Sequence, residues 1–129
     1  MTVNLQELTQ KYGDYYRQTP AQRSLGQLLM LANAIVTVCS YYPNAAAFDL
    51  STSDQGRYGF VLSGVKLSDG TEVEYPYAAG FEDEMCEHLQ DIDWDGVVGE
   101  CSAGYATVEV SKAKLAELVE RIDQAEKLI

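Results

Sequence analysis

Positive charge is what this chain has least of. Nine Lys and Arg stand against 20 Asp and Glu, a formal net charge of −11 with a pI near 4.3. Cations are what displace counterions condensed on a phosphate backbone, so direct nucleic-acid binding is set aside as a function. Docking on an anionic membrane is set aside on the same ground. Cysteine is scarce: Cys39, Cys86 and Cys101 form an odd number with no C-x-x-C spacing. That excludes a disulfide framework and points to reduced thiols in a cytoplasmic protein. Long apolar runs are missing too. The most apolar stretch, Leu28 to Cys39, spans 12 residues and includes Asn33 and Thr37. A membrane span needs about 20, so a buried core helix is expected there instead. Met1 to Gln10 has neither a basic start nor a long apolar run, and no signal peptide is expected.

Catalytic signatures are equally thin. There is no G-x-G-x-x-G, Walker loop, G-x-S-x-G or H-E-x-x-H. The single histidine, His88, lies two residues after Cys86. On a helix those positions point about 200° apart, so they cannot chelate one zinc or form a nucleophile–base pair. Cys101 could reach His88 only through tertiary folding, and a surface histidine with partly buried thiols is the simpler expectation. Paired carboxylates abound, but a glycosidase-like pair also needs a cleft and a raised pKa. The expectation is a non-enzyme with no resident cofactor.

What is present is an ordinary globular composition, 47% hydrophobic and 22% charged over 129 residues. That length suits one domain, residues 1–129, burying roughly two thirds of its unfolded surface. A first helix is predicted from about Asn4 to Gln18, with Leu5, Leu8, Tyr12 and Tyr15 or Tyr16 on one stripe and Gly13 as its weak point. Thr19-Pro20 reads as an N-cap followed by proline at the first helical position. The second helix should run to about Ser40, burying Leu25, Leu28, Leu29, Ala32, Ile35, Val36 and Cys39, with Leu31 and Val38 off that face. A short join makes the two a helical hairpin. Phe48 and Leu50 alternate with Asp49 and Ser51 as a strand. Ser53-Asp54-Gln55-Gly56 turns the chain into a run from Arg57 to Leu67 that is apolar on both faces. That run reads as a central strand with a bulge or bend at Ser63-Gly64. Asp69-Gly70 is a hairpin turn into a third strand bearing Val73 and Tyr75, stopped by Pro76.

A third helix is predicted from Phe81 to Ile92 on the stripe Phe81, Met85, Leu89 and Ile92. Residues Asp91 to Ala103 read as loop, with room for a short strand at Val97-Val98, before a strand on Ala106, Val108 and Val110. Ser111 caps a last helix with the stripe Leu115, Leu118, Ile122, Ala125 and Ile129. Its spacing also suits a dimer seam, though packing on its own sheet is the simpler expectation. Glu117–Arg121 and Asp123–Lys127 are i,i+4 pairs on its wet face. The predicted fold is α+β: an antiparallel sheet of about four strands covered by four helices in two layers, in the order α-α-β-β-β-α-β-α.

The negative charge has a location. Residues 1–48 hold Glu7 and Asp14 against Lys11, Arg17 and Arg23, and residues 111–129 balance four acids with four bases. Between them, residues 49–110 hold 14 acids against only Arg57 and Lys66. Asp69 to Glu100 alone contains 11 acids and no Lys or Arg. Such a surface draws a cationic partner and repels nucleic acid. The alternative is a solvated face that only maintains solubility. Nine tyrosines favour the first, because Tyr is enriched at interfaces. Tyr41, Tyr42, Tyr75 and Tyr77 flank strand ends, Glu72, Glu74 and Glu109 should lie on the exposed sheet face, and Glu82, Asp83, Glu87 and Asp91 on one flank of the third helix. The candidate partner-binding residues are Glu72, Glu74, Tyr75, Tyr77, Glu82, Asp83, Glu84 and Glu87.

Asp91-Ile92-Asp93-Trp94-Asp95-Gly96 offers carboxylates at positions 1, 3 and 5 and glycine at 6 of a calcium loop. Asp91, Asp93 and Asp95 are therefore candidate calcium ligands. Position 12 is Ser102 rather than a bidentate Glu, Glu100 comes two residues early, and the following segment looks like strand rather than exiting helix. An Asp-rich turn accounts for the same residues.

The segment Pro43-Asn44-Ala45, Phe48-Asp49-Leu50, Ser53-Asp54-Gln55 and Asp69-Gly70 resembles short proteins of actinobacteria and their phages. There a helix leads into a proline, a strand ends in Ser-Asp-Gln, and a hairpin turns on Asp-Gly. The likeness covers about residues 40–75. It implies an accessory gene of bacterial or phage origin and carries over no activity. The expected function is an acidic interaction module, an inhibitor or accessory factor binding a basic protein such as a toxin or a nucleic-acid-binding enzyme. A calcium module and a small-molecule binder with a pocket between sheet and helices are the alternatives.

Overall fold

A computed structural model describes residues 4–12, 19–52, 60–89, 92, 100–102 and 105–129. Helix α1 (Leu5–Tyr12) precedes α2 (Pro20–Tyr41), followed by strands β1 (Ala45–Thr52) and β2 (Phe60–Leu67). Next come α3 (Phe81–Leu89), β3 (Glu100–Ser102), β4 (Tyr105–Glu109) and α4 (Lys112–Lys127). Among the described residues the fold is α+β with an antiparallel sheet and four helices, but the order is α-α-β-β-α-β-β-α. The predicted third strand is not one. The turn at Asp69-Gly70 forms, with Gly70 at φ +90 and Asp69 Oδ1 accepting from both the Thr71 amide and hydroxyl. Thr71 then accepts from the Leu67 amide, and the Val73 amide donates to Val65, leaving only a bridge between Lys66 and Glu72. Beyond Val73 the tyrosines on either side of Pro76 stack towards α3 instead of continuing a ladder.

The sheet order is β2-β1-β4-β3, with three strands of five to eight residues and a three-residue β3 that was expected to be loop. Strand β2 therefore lies at an edge, not at the centre. Its apolar residues look two-sided in sequence because of a bulge. Gly64 pairs with Asp49 and Leu62 with Leu50, so Ser63 is skipped, as its position beside Gly64 suggested. Leu62 and Val65, three residues apart, thereby land on one face opposite Leu50 and Phe48. On the other side of β1, Phe48 pairs with Val108 and Leu50 with Ala106. These rungs form the floor of the core.

Helix α2 begins as its sequence dictates: the Thr19 hydroxyl accepts from the Gln22 amide while the Gln22 side chain accepts from the Thr19 amide. The proline at the first position has no amide to leave unsatisfied. At 22 residues α2 is long and apolar enough, by length and composition, to cross a membrane; here it packs against α1, α3, α4 and β1. Leu31 and Val38, expected off its buried face, are fully buried, whereas Val36 and Cys39 are exposed. With neighbours on several sides, almost any direction from this helix leads into protein. Asn33 Nδ2 ties it to α1 through Thr9 Oγ1 at 2.9 Å and also donates to Leu29 O.

Helix α3 buries Phe81, Met85 and Leu89, with Ile92 beyond its end, on the expected stripe. Ser111 Oγ accepts from the Lys114 amide to cap α4, whose Leu118 and Ile122 are fully buried. Half-buried Leu115 and Ala125 pack against the same core and α4 meets α2 rather than the sheet, while Ile129, the last residue of the expected stripe, is exposed. Of the two i,i+4 pairs expected there, Asp123–Lys127 closes at 3.2 Å. The first helix beyond Tyr12, the Ser53–Gly56 turn, the strand start at Arg57, the Asp91, Asp93 and Asp95 turn and Val97-Val98 lie outside the described residues.

Candidate interaction surface

The C-terminal end of α2 grips the entrance of α3. Phe81, buried at the first position of α3, is met by three tyrosines from two segments. Its ring centroid lies 5.0 Å from Tyr42 and 5.6 Å from Tyr77, both edge-on, and 5.3 Å from tilted Tyr41. Each such pair adds about 0.5–1.5 kcal/mol beyond the area it buries. The tyrosine hydroxyls fix the neighbouring backbone and side chains. Tyr42 Oη accepts from the Ala78 amide at 2.9 Å, and Tyr41 Oη donates to Glu84 Oε1 at 3.0 Å. Gly80, between these contacts, has φ +85, and a Cβ there would sit 3.2 Å from Tyr41 Oη. Glycine is needed on both counts.

From Phe81 the aromatic contacts run outward to solvent. Tyr77 is half-buried, and Tyr75 stands edge-on to it at 5.9 Å and interplanar 88° with 75% of its surface exposed. The segments that carry these rings also carry exposed carboxylates. Glu72 and Glu74 are on the segment leaving β2; Glu82, Asp83, Glu84 and Glu87 are on α3. Three of these acids occupy the first turn of α3, where the positive end of the helix dipole favours them. The Tyr77 phenol is pushed up, first by burial and then by electrostatic interaction with Glu82, Tyr42, Glu72 and Asp49. The Tyr41 phenol is also pushed up, chiefly by the hydrogen bond it donates to Glu84.

Of the eight residues singled out in the sequence, the fold thus joins Tyr75 to Tyr77 and brings the charges of Glu72 and Glu82 to bear on Tyr77. It ties Glu84 to Tyr41, whereas Glu74, Asp83 and Glu87 are exposed and not drawn into these contacts; Asp83 and Glu87, each two positions from the buried stripe Phe81, Met85 and Leu89, sit on the outer face of α3. Among the described residues none of these six carboxylates is in an ion pair; the pairs that form are Lys66–Asp49 at 3.7 Å and Asp123–Lys127. Glu109 is exposed on β4, where Glu109 Oε2 accepts from Ser111 Oγ, and Glu74 lies beyond the sheet rather than on its face. Among the described residues no group of three His, Cys, Asp or Glu is placed to hold a metal ion.

Two expectations about lone reactive residues are corrected. His88 is half-buried rather than on the surface, its Nε2 3.0 Å from Thr37 Oγ1, and burial holds its pKa below 6.5 against the opposing charges of Glu87 and Glu84. The signal was its spacing: seven residues after Phe81 and three after Met85, it falls on the packed stripe of α3. Cys39 and Cys86 are exposed, not partly buried. Each lies two positions from the residues that join α2 to α3 (Thr37 and Tyr41; Glu84 and His88), which turns it away from the contact. No protein-family model, curated protein or solved structure matches this chain, so the surface is read from its own chemistry.

Proposed function

We propose that this protein is a small cytoplasmic interaction module, an inhibitor or accessory factor, that takes a basic partner protein on the face built from Glu72, Glu74, Tyr75, Tyr77, Glu82, Asp83, Glu84 and Glu87. The reading assigns it no catalysis and no cofactor. The observation that carries it is the state of those carboxylates: six exposed acids, none in an ion pair among the described residues, on the segment that bears the exposed Tyr75 ring and the helix that follows it. Lys66, bridged opposite Glu72, pairs with Asp49 rather than with any of the six, which leaves them to a partner's Lys and Arg. Carboxylates on a rim chiefly raise the association rate and make it fall with salt, while aromatic anchors slow dissociation. A DNA-mimic blocking a nucleic-acid-binding enzyme and an immunity-like protein neutralising a basic toxin both work by this chemistry.

The test is fluorescence anisotropy of a labelled basic peptide against three proteins: wild type, a Glu72→Lys, Glu74→Lys, Glu82→Lys, Asp83→Lys variant, and an α4 control. The control carries Glu117→Lys, Glu120→Lys, Asp123→Lys and Glu126→Lys. Both variants change the net charge equally. The proposal expects the first to lose binding by at least about tenfold, a difference of roughly 1.4 kcal/mol, and the control to keep it. Equal losses in the two variants would mean that only overall charge matters, and the surface reading would fall.

A further inference from the structure

The proposed face holds more than charge, and the additional element is the ring of Tyr75. It is exposed over 75% of its surface yet held in place, edge-on at 5.9 Å to Tyr77, which is itself held at 5.6 Å by fully buried Phe81. A large exposed aromatic costs solubility, and a mobile one would give little to a partner. This one is braced back to the core through two ring contacts, so its outer surface is a fixed platform. Fixed rings lose little conformational entropy when a partner stacks on them.

The platform stands among acids. Glu72 and Glu74 come just before Tyr75 in the chain, Glu82 acts on neighbouring Tyr77, and Asp69 to Leu89 contains no Lys or Arg. A purely electrostatic surface would not distinguish lysine from arginine. A negatively surrounded aromatic face does, because guanidinium is planar, stacks on rings and bonds carboxylates bidentately, whereas ammonium is a compact, strongly hydrated point charge.

Resting on the acidic-face reading, we propose that Tyr75 is an arginine-stacking platform, and that the partner docks through an arginine side chain laid on Tyr75 and paired to Glu72 or Glu74. The occupant is thus an arginine-rich segment of a basic protein rather than a lysine-rich one. Charge complementarity and the fixed ring together select it.

The experiment compares an arginine-rich and a lysine-rich peptide of equal length and charge, each labelled for anisotropy, at near-physiological salt. Wild type should bind the arginine peptide about two- to fivefold more tightly, the range expected of one exposed stacking contact. Tyr75→Ala should bring the two affinities together, while Tyr75→Phe, which keeps the ring, should preserve the preference. Tyr75 is exposed, and a thermal melt of each variant checks that the fold is intact. Equal binding of both peptides by wild type, or a preference that survives Tyr75→Ala, would overturn the arginine inference. If both peptides bind equally and the α3-side charge reversal abolishes both, the acidic-face reading stands and only the platform falls. If neither peptide binds, both fall.

Discussion

Thr37 on α2 and His88 on α3 meet across the helix contact, with Thr37 Oγ1 and His88 Nε2 3.0 Å apart. Both are largely enclosed, Thr37 buried and His88 half-buried. Neutral imidazole can either accept from the hydroxyl or donate to it. Imidazolium can only donate, and it must also shed water. Burial outweighs the charges of Glu87 and Glu84, so the folded pKa lies below the ordinary 6.5. The unfolded chain therefore binds the proton more readily. This contribution is fully present above pH 6.5 and is lost as pH falls from there through the folded value. Urea midpoints measured between about pH 7.5 and 5.5 should fall more steeply for wild type than for His88→Gln. Parallel curves for the two proteins would show that the histidine does not couple to folding.

Gly80 and Gly70 have similar dihedrals, at φ +85 and +90, but different surroundings. A Cβ at Gly70 meets nothing within 4 Å, whereas at Gly80 it meets Tyr41 Oη at 3.2 Å. Gly70→Ala should cost about 1 kcal/mol from backbone conformation alone. Gly80→Ala should cost more, about 2 kcal/mol, because the tyrosine must also shift from Glu84. Adding Tyr41→Phe should recover only the steric part. Chemical denaturation of the two single variants and the double variant measures the difference.

Asp49 lies on the outer face of central strand β1, where it accepts from Thr107 Oγ1 at 2.8 Å and pairs with Lys66 at 3.7 Å. The ion pair is half open to water, so it should contribute under about 1 kcal/mol. Asp49→Asn keeps an acceptor for Thr107 and should be close to neutral. Asp49→Ala removes both partners and should destabilise by about 1 kcal/mol. If Asn and Ala cost the same in thermal melts, the hydroxyl contact contributes nothing.

Calcium should leave the melting temperature unchanged. In the loop numbering that begins at Asp91, the twelfth position is Ser102, which has no bidentate carboxylate to give. Residues 100–102 form strand β3 against β4, where a calcium-binding helix–loop–helix would start its exiting helix. A clear calcium-dependent rise in melting temperature would restore the Asp91, Asp93 and Asp95 turn as a site.

Local chemistry was readable in this sequence, and placement was not. Thr19-Pro20, Ser111 and the Phe81–Ile92 stripe declare themselves because caps and helical spacing depend on neighbours in the chain. The Ser63-Gly64 bulge was legible for the same reason. The edge position of β2 was not, since an edge strand whose bulge brings Leu62 and Val65 to one side has the same apolar content as a central one. Val73 and Tyr75 alternate like a strand, but rings that stack towards Phe81 draw the chain off the ladder, and alternation carries no record of that competition. Within the candidate surface, sequence identified the acids and tyrosines. It could not reveal that Asp49, two elements away, adds its charge to Tyr77, or that His88 turns inward.

Tyr41 and Tyr42 are consecutive residues, yet one holds a side chain of α3 and the other a backbone amide ahead of it. The proposed binding face is thereby fastened to the last turn of the helix around which the other elements assemble. A partner pressing on that face should therefore be sensed in amide hydrogen exchange along α2, far from any contact, because the face cannot open as a loose loop without first fraying the helix that anchors it.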